Sequence, residues 1–265
     1  MKGWISLLAA AVVTATGGSA AAETVAELNR PENWRDAKAF EVAGSGMKIS
    51  VAKKISATSY IPVNPEKTYR FSMKVRRAPG SASSQFYAIL EPVTEEGTRI
   101  AMSHVTAIRN SSGTLAAEVK DGDEFIIVKP DVKRNYTAGS GWVICFDAAD
   151  DMSDLPNSKV SSVMKKVEPD GDNVKITFRS PLRLSAAAGT RVRIHASGSY
   201  IYTGAVNATG DEWTEVSGEV KGIAPGWSNR IFPVGTAGFY PAIMPNWNTK
   251  ESTSVEIRDI RVEEL

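Results

Sequence analysis

The chain has 265 residues, with 31 Lys and Arg against 30 Asp and Glu, two His and one Cys. That near-neutral balance excludes the broad basic footprint that nucleic acid requires, and a single cysteine excludes an intrachain disulfide. Cys145 lies among Val143, Ile144 and Phe146, so it is expected to be a core thiol; a nucleophile would need a His partner in an electropositive setting.

Residues 1–22 read as an export signal. Lys2 gives the positive start, 5–13 the apolar core, and Ala20, Ala21 and Ala22 a small-residue cleavage site before Glu23. Cleavage removes Lys2 and leaves 23–265 formally neutral, secreted or periplasmic. No later segment is apolar enough to span a bilayer, so no membrane insertion is expected. Residues 25–33 predict one short helix bounded by Pro31.

Beyond it the chain alternates in short runs broken by Gly, Pro, Asn and Asp, the pattern of an all-β sandwich. A first group comprises 47–51, 59–63, 69–75 and 86–90. In it Tyr69, Phe71, Met73 and Val75 alternate with Arg70, Ser72, Lys74 and Arg76. A middle segment carries 115–119, 124–128, 142–146 and 174–178, with Asp121-Gly122 and Asp170-Gly171 as hairpin turns. A polar loop is expected at 150–162. A last group comprises 191–195, 213–220, 239–244 and 255–262. In the final run Val255 and Ile257 are out of phase with Ile260 and Val262. A bulge at Arg258–Asp259 restores their common direction.

Three phrases carry a family likeness. Residues 59–65 followed by 69–75 form an opening turn and a Tyr-x-Phe-Ser-Met-x-Val strand; Trp213 to Gly218 reads W-x-x-x-S-G; 255–262 closes the chain with an acidic bulge. Over about 33–97 and 186–265 the chain thereby resembles the jelly-roll carbohydrate-binding modules of families 4, 9 and 22, galactose-binding-like β-sandwiches. Shorter phrases, Gly122-Asp123 and Gly198 to Tyr202 among them, also resemble bacteriophage tail proteins whose jelly roll is enlarged by a small β insertion. The expected fold is all-β: an antiparallel jelly-roll β-sandwich in two parts, 23–97 and 188–265, with a β-rich insertion at 98–187. The modules hold a structural calcium beside an Asn-Gly-x-Phe-Glu phrase. Here Phe40-Glu41 lacks the Asn-Gly. The resemblance implies Asp259 and Glu41 as calcium ligands, hard oxygen donors of the right kind; a carboxylate that only caps the bulge is the alternative for Asp259.

A sugar presents an apolar C–H face and a hydroxyl edge, so its sites pair aromatic rings with amides, acids and Arg. Trp227, Arg230, Tyr240, Asn246 and Trp247 are the candidates, with Tyr202, and Tyr200 beside it, extending the platform. Trp213 and Trp142 are expected in the cores and Trp34 against the sheet. Asp147, Asp150, Asp151 and Asp154 form an acidic cluster without EF-hand spacing. His104 and His195 lack metal-motif spacing, and no nucleophile elbow, P-loop or dinucleotide fingerprint is present. The leading expectation is a secreted, non-catalytic protein that binds a poly- or oligosaccharide. The alternatives are a jelly-roll glycosidase or lyase built on Arg193, His195 and Tyr202, and a structural or adhesion module. The sequence leaves the oligomeric state open.

Overall fold

A computed structural model describes residues 22–265, apart from 45, 133–135, 137–138, 140, 199, 208 and 250–252. The expected export signal up to Ala21 lies outside the described residues. Strands take 51% of the backbone and helices 4%, so the chain is all-β as its alternation predicts. The strands are β1 (Glu23–Glu27), β2 (Phe40–Ala43), β3 (Gly46–Ile49), β4 (Ile55–Ser56), β5 (Ile61–Pro62), β6 (Thr68–Arg77) and β7 (Gln85–Val93). Then follow β8 (Ala107–Leu115), β9 (Phe125–Pro130), β10 (Trp142–Phe146), β11 (Met164–Asp170), β12 (Asn173–Phe178) and β13 (Arg191–Ala196). The last are β14 (Ile201–Val206), β15 (Thr214–Lys221), β16 (Ile223–Ala224), β17 (Phe232–Pro233), β18 (Gly238–Trp247) and β19 (Val255–Glu264).

Two antiparallel sheets form a sandwich. The first runs β15-β6-β19-β3-β2, with β1 also on β19; the second runs β14-β7-β18-β4, with β5 also on β18. Consecutive strands occupy corresponding places in the two sheets: β3 and β4, β6 and β7, β14 and β15, β18 and β19. Their inner faces share one core. Phe71, Met73 and Ile257 from the first sheet meet Phe86, Leu90 and Phe239 from the second. Apolar burial of this kind contributes about 25 cal/mol per Å² removed from water.

β19 contains the expected bulge. Arg258 pairs with Lys74 and Arg261 with Ser72, so Asp259 and Ile260 together oppose Met73. Asp259 takes a left-handed φ of 54°, and Val255, Ile257, Ile260 and Val262 are all fully buried.

The third sheet runs β10-β13-β8-β9-β12-β11 and has its own core, with Ile126, Val128, Phe146, Ile176, Phe178 and Ile194 at its centre. It is built between β7 and β14, which are themselves paired neighbours in the second sheet. The chain therefore leaves the sandwich, forms this sheet, and returns beside the strand it left. The two legs are tied where Met102 N–H donates to the Gly198 carbonyl at 3.1 Å. β13, which the sequence groups with the closing strands, is hydrogen-bonded into the third sheet between β10 and β8. At the hairpin of β11 and β12, Asp170 pairs with Asn173 around Gly171 at φ +59°, the tight turn that Asp-Gly favours.

Two expectations are corrected here. Residues 25–33 are not a helix: β1 pairs with β19 and a 3-10 turn follows at Pro31–Asn33. Pairing with β19 satisfies the backbone of a segment too short to make a stable helix alone. Trp213 is not core; its ring lies between the Arg76 and Arg258 guanidinia, 4.6 and 4.2 Å away. The 150–162 segment is a loop as expected, and the ion pair of half-buried Asp154 with Arg193 ties it to the third sheet. Trp34 and Cys145 are buried, and Trp142 packs against the third sheet's core, in line with expectation.

Candidate functional site

Period-two alternation sorts β7 into two sets. Phe86, Ala88 and Leu90 enter the sandwich core, so Gln85, Tyr87, Ile89 and Glu91 point outward. Paired residues in an antiparallel sheet share a face. The register with β18 therefore places Tyr240 beside Glu91, Ala242 beside Ile89, Met244 beside Tyr87, and Trp247 beside Gln85. β14 adds Tyr202 beside Ile89. Three of the sequence candidates, Tyr202, Tyr240 and Trp247, thus lie on one outer face of the second sheet. From Tyr240 to Trp247 that face extends roughly 20 Å at strand rise.

The rings form a track of two contacting groups, with Trp247 beyond them on the same face. Tyr60 and Tyr240 have centroids 5.7 Å apart, Tyr87 and Tyr202 5.6 Å, and Tyr200 and Tyr202 6.2 Å. Ile89, Ala242 and Met244 are buried beneath Tyr87 and Tyr200, while Tyr60, Tyr202 and Trp247 are exposed. Desolvation against the neighbouring rings raises the pKa of the Tyr202 phenol, which therefore stays a neutral O–H donor in ordinary solution.

Charges flank the track. Glu91 is 5% exposed; Lys54 Nζ and the Ser56 hydroxyl both donate to its carboxylate, the pairing a buried carboxylate requires. Lys54 and the Arg99 guanidinium lie 5.7 and 4.7 Å from the Tyr200 ring, and Arg35 lies 4.2 Å from that of Tyr240. Each is a cation–π arrangement.

Beyond Tyr202 the face turns over the sandwich edge into an open groove of about 650 Å³, lined by Tyr202, Thr203, Ser217, Gly218, Glu219, Asn229 and Arg230. β14 and β15 nearly touch there: a Cβ on Gly218 would stand 1.8 Å from the Thr203 carbonyl oxygen. Tyr202 N–H donates to Asn229 Oδ1 at 3.0 Å, fixing the loop that carries Arg230. Arg70 donates twice to Glu219, at 3.0 and 2.8 Å.

The remaining candidates fall elsewhere. Asn246 is not available to a ligand. Its side chain is 1% exposed, accepts from Ser84 Oγ at 3.0 Å, and donates to the Ile49 and Val51 carbonyls at 3.1 Å each. With φ at 53° it makes the irregularity between Met244 and Trp247 that keeps Trp247 on the outer face. Trp227 sits on the loop between β16 and β17, half-buried against the sandwich core, and lines a small hollow with Ile231 and Phe232.

The carboxylates implied for calcium do not fit the ion. Asp259 pairs with Lys74 at 3.0 Å, and Glu41, on β2 at the edge of the first sheet, pairs with Lys48 at 3.6 Å. Among the described residues no three His, Cys, Asp or Glu gather to hold a metal, whereas calcium takes six to eight oxygens. The acidic cluster is likewise engaged: Asp147 with Lys159, Asp150 with Arg191, Asp154 with Arg193, and Asp151 with the Ser153 N–H.

Arg193 and His195 do not meet Tyr202. His195 is fully buried, with Nδ1 2.7 Å from the Ser103 carbonyl oxygen and Nε2 accepting from Arg193 Nε at 2.9 Å. Arg193 also donates to the Ala149 carbonyl and to Asp154. Both ring nitrogens are used, so this imidazole holds the 147–157 loop on the third sheet and is not presented to a substrate.

Sequence reasoning missed Tyr60, Tyr87 and Glu91 and the cations Arg35, Lys54 and Arg99. The alternation of Gln85, Tyr87, Ile89 and Glu91 was a usable signal for two of them. Lys54 and Arg99 precede or follow strands in loops whose direction no periodicity specifies. No family model, curated protein or solved structure matches this chain.

Proposed function

We propose that this is an exported, non-catalytic jelly-roll module that binds a poly- or oligosaccharide along the outer face of the second sheet. The observation that carries the reading is the register that aligns Tyr240, Tyr87, Tyr202 and Trp247 on one side of three paired strands. Aromatic rings supply flat apolar area for the C–H faces of sugars, and adjacent Tyr hydroxyls and cations take the hydroxyl edge. The alternation of consecutive strands between two sheets supports the jelly-roll description, and the apolar leader with its Ala-rich end supports export.

Affinity electrophoresis of residues 23–265 through a panel of polysaccharide gels tests the proposal. Retardation by at least one polysaccharide is expected. Tyr202→Ala and Trp247→Ala each weaken it by about tenfold, close to 1.4 kcal/mol, and Trp227→Ala leaves the affinity of the folded protein unchanged. Retardation that survives both track substitutions, or none with any polysaccharide, contradicts the reading.

A further inference from the structure

We infer that the ligand of this face is an acidic polysaccharide, a chain that carries carboxylate or sulfate groups. This rests on the glycan-binding reading above and specifies its chemical class. The argument begins with what covers the rings. A site for a neutral glycan gains most from bare aromatic faces, because the gain comes from apolar area. Here Arg35 is stacked on Tyr240 at 4.2 Å and Arg99 on Tyr200 at 4.7 Å. Arg35 is exposed, and a planar guanidinium fork matches a carboxylate or sulfate with two parallel hydrogen bonds.

Cations and rings alternate along the track. Arg35 stands by Tyr240 at one end, Lys54 and Arg99 by Tyr200 in the middle, and Arg230 past Tyr202 in the edge groove. Glu91 is buried and already neutralised by Lys54, and Glu219 is held by Arg70. Arg35 and Arg230 make no ion pair among the described residues, so their charge is not compensated within the protein. Desolvating them under a neutral polymer would cost free energy with no return. A polymer with a charge on successive units offers Arg35 and Arg230 a partner while its rings lie on the tyrosines. With 31 Lys and Arg against 30 Asp and Glu, the chain's overall charge gives no attraction for polyanions, so the preference rests on Arg35 and Arg230.

The test compares charged and uncharged forms of the same sugars. Residues 23–265 are titrated with polygalacturonate and alginate, with their fully methyl-esterified forms, and with chondroitin sulfate and its desulfated, esterified form, all at an ionic strength of about 0.15 M. At least one acidic polymer is expected to bind ten or more times more tightly than its neutral form. Arg35→Ala should remove most of that preference while Arg35→Lys retains part of it. Circular dichroism confirms the fold, and Trp227→Ala serves as a folded control. Equal or tighter binding of the neutral forms, still sensitive to Tyr202→Ala, overturns the acidic assignment and leaves the glycan reading standing. Acidic preference that is unchanged in Arg35→Ala, Arg99→Ala and Arg230→Ala together also overturns it. Binding to none of these polymers overturns the acidic assignment, and the glycan reading then stands or falls on the wider polysaccharide panel.

Discussion

At His195 the imidazole is enclosed by Arg193, the Ser103 carbonyl, His104 and, through Arg193, Asp154. Desolvation foremost, then the Arg193 charge, lowers its pKa from 6.5 to about 4. The folded value lies below the unfolded one, so between them the unfolded chain binds the proton more tightly. The stabilisation is whole above about pH 6.5, falls as pH drops, and stops falling near pH 4, for a total of about 3 kcal/mol. Urea midpoints measured across that window should show the decline, and His195→Gln should flatten it. A midpoint in the native chain that does not move between pH 6.5 and 4 would contradict the enclosed, neutral imidazole. Arg193 and His195 alternate with Val192 and Ile194 as a half-exposed strand would. Their burial was not legible because the covering carboxylate, Asp154, comes from a distant loop. Trp213 is the opposite case. Val216 and Val220 set the inward phase of β15, and Trp213 stands out of that phase, so its exterior position was readable from spacing once the strand's phase was used.

Two elements depend on a left-handed residue that resets a strand's phase. In β19 it is Asp259, and in β18 it is Asn246. The first was legible: an apolar run that slips by one residue demands an extra residue to bring both halves onto the core. The second was not, because the slip lies between Met244 and Trp247, where Trp247 is exposed and gives no apolar phase to read. Deleting Asp259 should turn Ile260 and Val262 away from the core and cost roughly 3 kcal/mol or more in chemical denaturation. Asp259→Gly keeps the backbone turn and should change stability by less than about 1 kcal/mol. Neither the native chain nor Asp259→Gly should change melting temperature when calcium is added or chelated. A calcium-dependent rise would mean that the Lys74 pairing gives way to a metal.

The whole molecule is a sandwich that carries a second body between two hydrogen-bonded neighbours. Because Met102 and Gly198 are already joined by a backbone hydrogen bond, 103–197 can be replaced by a short Gly-containing turn. The shortened chain is expected to keep a cooperative β transition, to keep Tyr200 and Arg99 in place, and to lose the pH dependence that His195 gives. Loss of the transition would mean that the third sheet supports the sandwich beyond its own core. The sandwich itself was legible from alternation and turn residues. The place of β13 was not, since an alternating strand looks the same in either sheet and only its partners, β8 and β10, decide.

The claim that the ligand lies on the outer face of the second sheet is tested most directly by the tryptophan indole N–H resonances of residues 23–265 during titration with the tightest polysaccharide of the panel. The account predicts that the Trp247 signal shifts or broadens with ligand while those of Trp34, Trp142 and Trp227 stay fixed. A titration that moves Trp227 and leaves Trp247 unchanged would contradict it, and would assign binding to the loop edge of the sandwich instead.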